Sequence, residues 1–132
     1  MRCLLLLLAL SVTLPGLAFP QSNEDRDAQP INPPVPSYPP MAAMFGIQGY
    51  CEVTFSVDEG GYPFSLSTSC TQPVFCYQSK RAISRVRFAP KIVGGQALPR
   101  FNVVYPLEYR MAEGQESIDR GGFKACDERA VS

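Results

Sequence analysis

Histidine and tryptophan are absent from the 132 residues, and the charges cancel, with twelve Lys and Arg against twelve Asp and Glu. Without imidazole there is no Ser-His-Asp or Cys-His catalysis, and most zinc sites are lost with it. Without indole there is no such ring to anchor an interface or stack a sugar. Zero net charge argues against a general nucleic-acid partner, which requires a basic excess to displace phosphate counterions. No C-x-x-C pair occurs, which weighs against metal binding and a thioredoxin-like redox site. The main apolar run, Cys3 to Phe19, has 17 residues and contains Pro15 and Gly16. That is at the short limit for a spanning helix, which needs about 20. The length allows one domain rather than two.

What is present first is a targeting pattern. Arg2, the run Leu4 to Leu8, and small residues at Gly16 and Ala18 read as a secretory signal peptide over residues 1–18. Cleavage after Ala18 is expected to give a periplasmic or secreted product. The alternative is an uncleaved chain anchored in the inner membrane. Removal of Cys3 leaves Cys51, Cys70, Cys76 and Cys126, an even count that reads as two disulfides in a small exported domain. Four cysteines allow three pairings, and the count does not choose among them.

Seven of the thirteen Pro fall in residues 19–40. Such a segment buries little apolar surface and favours extended polyproline geometry, so 19–36 reads as a linker. Met41 to Phe45, between Pro40 and Gly46, reads as one or two helical turns. From Tyr50 to Asp58 the residues alternate, with Cys51, Val53, Phe55 and Val57 on one face, which is a half-buried strand. After the turn Asp58-Glu59-Gly60-Gly61, Phe64, Leu66, Thr68 and Cys70 continue at period two and complete a hairpin. Phe75, Ser79, Ala82, Ile83 and Val86 mark an amphipathic helix of about 12–14 residues that ends before Pro90, with Thr71 as its expected cap. Ile92 to Gly95 reads as the start of a turn. Phe101, Val103, Tyr105, Leu107 and Tyr109 share one face of a last strand. Residues 112–132 read as a polar tail tethered only by Cys126. The expected fold is α+β, a three-stranded antiparallel sheet with helices packed on one face.

These residues resemble a known family. Pro36-Ser37-Tyr38-Pro39, Ala42 and Gly46-Ile47-Gln48-Gly49 look like its opening. Val53 to Asp58 followed by Gly61 looks like its first hairpin, and Ala82 to Lys91 with Gly95-Gln96 looks like its helix and the turn that follows. The family is the C-terminal domain of TonB, the energy transducer of Gram-negative envelopes, and the domain would occupy 37–111. The resemblance implies a non-enzymatic protein-binding module that docks on outer-membrane receptors through an exposed sheet edge and needs no cofactor. A transducer keeps its membrane anchor and uses a His there to couple to its motor. This N-terminus looks cleavable and the chain has no His. The linker of about 18 residues spans only about 56 Å even in polyproline form. The alternatives are a secreted disulfide-stabilised inhibitor or structural protein that reuses the fold, and a small thiol redox protein.

Candidate site residues follow from these readings. The hairpin brings Cys51 and Cys70 roughly opposite each other on the apolar face, leaving Cys76 for Cys126; relatives with Cys at both hairpin positions favour the same pairing. Pro106 has no N–H and suits an edge strand. If it faces away from the sheet, Asn102, Val104 and Glu108 face away with it, and together they form the expected partner-binding edge. Between residues 80 and 110, seven basic residues face only Glu108. Lys80, Arg81, Arg85 and Arg87 therefore form a candidate basic docking patch, against the plainer reading of a solvated helix face. Asp58 and Glu59 are paired carboxylates in a turn, where Asp bonds its own backbone.

Overall fold

The computed structural model describes Gly16 and residues 24–112 and 118–126, so the expected signal segment, residues 1–18, lies almost wholly outside the described residues. In chain order the elements are β1 (Gln29–Pro30), α1 (Pro40–Met44), β2 (Gly49–Val57) and β3 (Pro63–Cys70). A 3-10 turn at Pro73–Phe75 then runs into α2 (Cys76–Ser84). It is followed by β4 (Phe88–Ala89), β5 (Lys91–Val93), β6 (Gln96–Leu98), β7 (Arg100–Tyr109) and β8 (Lys124–Ala125). The main sheet is antiparallel in the order β7-β2-β3-β8. The three long strands are the expected ones, and β8 adds a two-residue fourth.

The alternation of β2 sets the core. Cys51, Val53, Phe55 and Val57 are each at most 1% exposed. Phe75 and Ile83 are fully buried in the same core cluster, as is Ala42 of α1. Burial of side chains of this size contributes about 1.5–3 kcal/mol each. Phe75 stacks on Tyr109 with ring centroids 4.2 Å apart, and Tyr38 meets both rings edge-on. The Tyr109 hydroxyl lies 2.8 Å from the Ser79 hydroxyl, which satisfies both buried groups. Burial pushes the Tyr109 phenol up, and the Ser79 bond opposes it.

The hairpin turn is built by Asp58, whose Oδ1 accepts from the N–H groups of Gly60 (3.0 Å) and Tyr62 (2.8 Å). The carboxylate serves the turn, as expected of Asp at this position. Gly61 takes φ +82°, a conformation that glycine alone adopts at no steric cost.

Two bulges correct the strand faces. Ser65 (φ 53°) and Asn102 (φ 55°) are each an extra residue opposite the same region of β2, around Phe55 and Ser56. Each bulge reverses the side-chain alternation beyond it. Phe64 and Phe101, expected on the core face, are exposed and meet each other edge-on, 6.3 Å between centroids. The sequence pattern missed this because a bulge leaves local hydrophobicity unchanged, although Asn tolerates positive φ better than most residues.

Other expectations also shift. The helical stretch runs from Pro73 to Ser84, and Val86 and Phe88 are buried beyond its end. Thr71 is not its cap; its hydroxyl accepts from the Tyr50 N–H at 3.0 Å. The expected turn at Ile92 to Gly95 is the tip of a small hairpin, β5 with β6. The Pro-rich segment is not free along its whole length. β1 pairs with β4, Arg26 exchanges backbone hydrogen bonds with Ile92 at 2.9 Å, and Asp27 forms an ion pair with Arg100. Those contacts join segments more than 55 residues apart, which local pattern does not encode.

Candidate functional site

The two edges of the main sheet are built differently. Cys51 and Cys70 are directly opposed and joined by a disulfide, with Cα atoms 4.1 Å apart. That spacing marks a non-hydrogen-bonded pair, since hydrogen-bonded pairs lie near 5.5 Å. The backbone groups of Cys51 are therefore directed to its other neighbour, Leu107 of β7. By alternation, Leu107, Tyr105 and Val103 direct their backbone groups toward β2, while Val104, Pro106 and Glu108 direct theirs away. Pro106 pairs with Glu52 at a rung where no N–H is needed.

Val104 is 54% exposed, and Asn102, Pro106 and Glu108 are exposed as well. Among the described residues β7 pairs only with β2. Val104, Pro106 and Glu108 thus lie on the outward side of β7, an edge strand among the described residues. At Asn102 the bulge interrupts the alternation on which that residue's place rested.

The opposite edge, along β3, is partly covered. β8 pairs with Ser69 and Cys70, and the Cys126 N–H donates to the Thr68 carbonyl at 2.8 Å. The second disulfide, Cys76–Cys126, fastens β8 to the start of α2. Both pairings are those expected. The described part of the tail meets the outer face of the sheet at Arg120 and Phe123. Phe123 meets the Tyr50 ring edge-on at 5.2 Å, and the Arg120 guanidinium lies 4.9 Å from the same ring. Phe123, the one aromatic of the tail, is the signal that sequence reasoning passed over. The sulfurs of Cys70, Cys76 and Cys126 lie within 4.8 Å of one another. All three are in disulfides, so they offer no thiolate to a metal.

The basic candidates separate. Arg81, Arg85 and Arg87 line one cleft between α2 and the Pro-rich segment, whereas Lys80 does not line it.

Residues 34–111 match the family described as Gram-negative bacterial TonB protein C-terminal. The chain belongs to that family. A curated relative, protein TonB of Pseudomonas aeruginosa, is 30% identical over 81 residues, covering 60% of this chain and 24% of the relative. The chain thus spans about a quarter of the length of that TonB. The solution structure of the Pseudomonas aeruginosa TonB C-terminal domain superposes with a TM-score of 0.54 at 23% identity, covering 69% of this chain and 93% of that one. At that identity the likeness shows the fold. The TonB-matched region runs from the Pro-rich segment to the end of β7. It excludes β1, β8 and Cys126, so the second disulfide ties an extension onto the TonB domain.

That extension is expected to loosen in acid. Glu108 accepts hydrogen bonds from Arg110 (2.9 Å) and Arg120, which hold its carboxyl below the ordinary 4.5. A lowered folded-state pKa means that the Glu108 contribution to the attachment is complete above pH 4.5 and is lost as pH falls through the lower folded value. A pH titration of the Tyr50 and Phe123 ring resonances should show them separating only below pH 4.5, with the core unchanged. Separation well above that pH would remove Glu108 as the cause.

Proposed function

We propose that this chain is a non-enzymatic protein-binding module of the bacterial envelope, exported to the periplasm, which captures a segment of an outer-membrane TonB-dependent receptor by strand addition along β7. The observation that carries the reading is the one-sided pairing of β7, with β3 partly covered by β8. The backbone groups of Val104 and Glu108, directed away from β2, offer rungs to an incoming strand, and Pro106 leaves a gap between them. The same Pro guards the edge against pairing with other copies.

Family membership supports a protein-interaction role, and no helix among the described residues is long and apolar enough to cross a membrane. Coupling to an inner-membrane motor is not part of the proposal. From the end of the apolar run at Phe19 to the docked Arg26 the chain reaches at most about 25 Å.

Val104→Pro tests the reading. The Val104 N–H is directed away from β2, so the substitution removes no rung of the existing sheet. The variant is expected to keep its circular dichroism and both disulfides, and to lose at least tenfold in cross-linking yield to a purified TonB-dependent receptor. Unchanged capture by the folded variant would rule out strand addition at this edge.

A further inference from the structure

A cleft of about 270 Å³ lies between the Pro-rich segment at 32–37 and α2, well apart in sequence from the β7 edge. One wall carries Pro33, Pro34 and Pro36; the other carries Arg81, Arg85 and Arg87. Among the described residues no Asp or Glu lines it, and none of the three arginines is in an ion pair.

Two of the three are held in place by neutral groups. Arg81 donates to the Tyr77 hydroxyl at 2.8 Å. Arg87 lies 3.3 Å from the Tyr62 ring centroid and donates to the Gly60 carbonyl at 3.4 Å. A guanidinium has five N–H donors, so these contacts leave donors unused on each. Such anchoring reduces the entropy lost when an anion is bound.

The wall opposite is poorly suited to strand pairing. Three of its six residues, Pro33, Pro34 and Pro36, have no N–H to offer a peptide strand. Recognition falls on the guanidinium groups. Three of them suit an anion that carries about two charges and three peripheral oxygens, better than a single carboxylate. We infer that this cleft binds a phosphomonoester group. A lipid headgroup and a soluble phosphate share that chemistry.

The test uses the exported full chain, isotope-labelled, titrated with inorganic phosphate at constant ionic strength against chloride. The expected result is a saturable shift of the Arg81 and Arg85 side-chain N–H signals and the Ala82 amide in the low millimolar range. Arg81→Gln/Arg85→Gln should weaken it at least tenfold while the Gly61 and β2 amides stay unmoved, which confirms the fold. Arg87 is left intact because it also holds Gly60. A second arm sediments the protein with phosphatidylcholine vesicles containing 20 mol% phosphatidic acid, and with phosphatidylcholine alone. Phosphatidic-acid-dependent sedimentation, lost in the double variant, assigns the site to a lipid headgroup. Phosphate shifts without sedimentation assign it to a soluble phosphate. The inference fails if wild type shows neither response, or if the double variant responds as wild type does. Because β7 is untouched in these variants, receptor capture is expected to be unaffected by them.

Discussion

Gly61→Ala is expected to lower the unfolding free energy by about 3–5 kcal/mol, from the strain of a positive φ plus a backbone collision. A Cβ at this position would lie 2.0 Å from the Phe88 carbonyl oxygen, and the backbone already sits at φ +82°. The collision partner is main chain, so no rotamer change relieves it. Phe88 also donates its N–H to the Gly61 carbonyl at 3.0 Å, and its ring is buried against Phe55 with centroids 5.3 Å apart. Moving it to admit a methyl group breaks that hydrogen bond and disturbs the core together. Gly94→Ala is the matched control. It too has positive φ (+59°), but nothing lies within 4 Å of its Cβ position. It should cost about 1 kcal/mol, from backbone strain alone. Urea unfolding of the two variants separates collision from strain. Equal midpoints would show that the approach of Gly61 to Phe88 carries no energy.

Cys51→Ala/Cys70→Ala is expected to cost about 3 kcal/mol, the loop-entropy value for a bridge between residues 19 apart. Both cysteines are at most 2% exposed, and the strands they join are folded together in the native state. The lost constraint therefore acts almost wholly on the unfolded chain. The Cys76–Cys126 bridge, with a separation of 50, has a larger loop-entropy value of about 4 kcal/mol. Its measured cost is nevertheless expected to be the smaller. The tail rests on β8, Phe123 and Arg120, so without the bridge it detaches from a folded domain and the native state gains freedom as well. Chemical denaturation of the two double variants decides the order. A larger loss for Cys76→Ala/Cys126→Ala would show that the tail belongs to the cooperative core.

Residues 49–57 show how much was legible in the sequence. An alternating strand needs only period two and a face to bury, so Cys51, Val53, Phe55 and Val57 were assigned to the core from order alone, and all four lie there. The turn at Asp58 to Gly61, the hydrophobic positions of α2 and the edge character implied by Pro106 are equally local. Each follows from the conformations one residue type permits. The disulfide pairing was also legible, because the hairpin register fixes which residue lies opposite Cys51.

What only the tertiary structure decided involves segments distant in the chain. Phe64 and Phe101 left the core face because bulges at Ser65 and Asn102 fall beside the same part of β2, and a bulge depends on the neighbouring strand. The tail's path over Tyr50, the return of Arg26 to Ile92, and the gathering of three arginines against a proline wall are contacts between remote stretches. Hydrophobic periodicity records which side of an element is buried. It does not record what the exposed side meets, and those meetings set which edge of this sheet is open and which cations line one cleft.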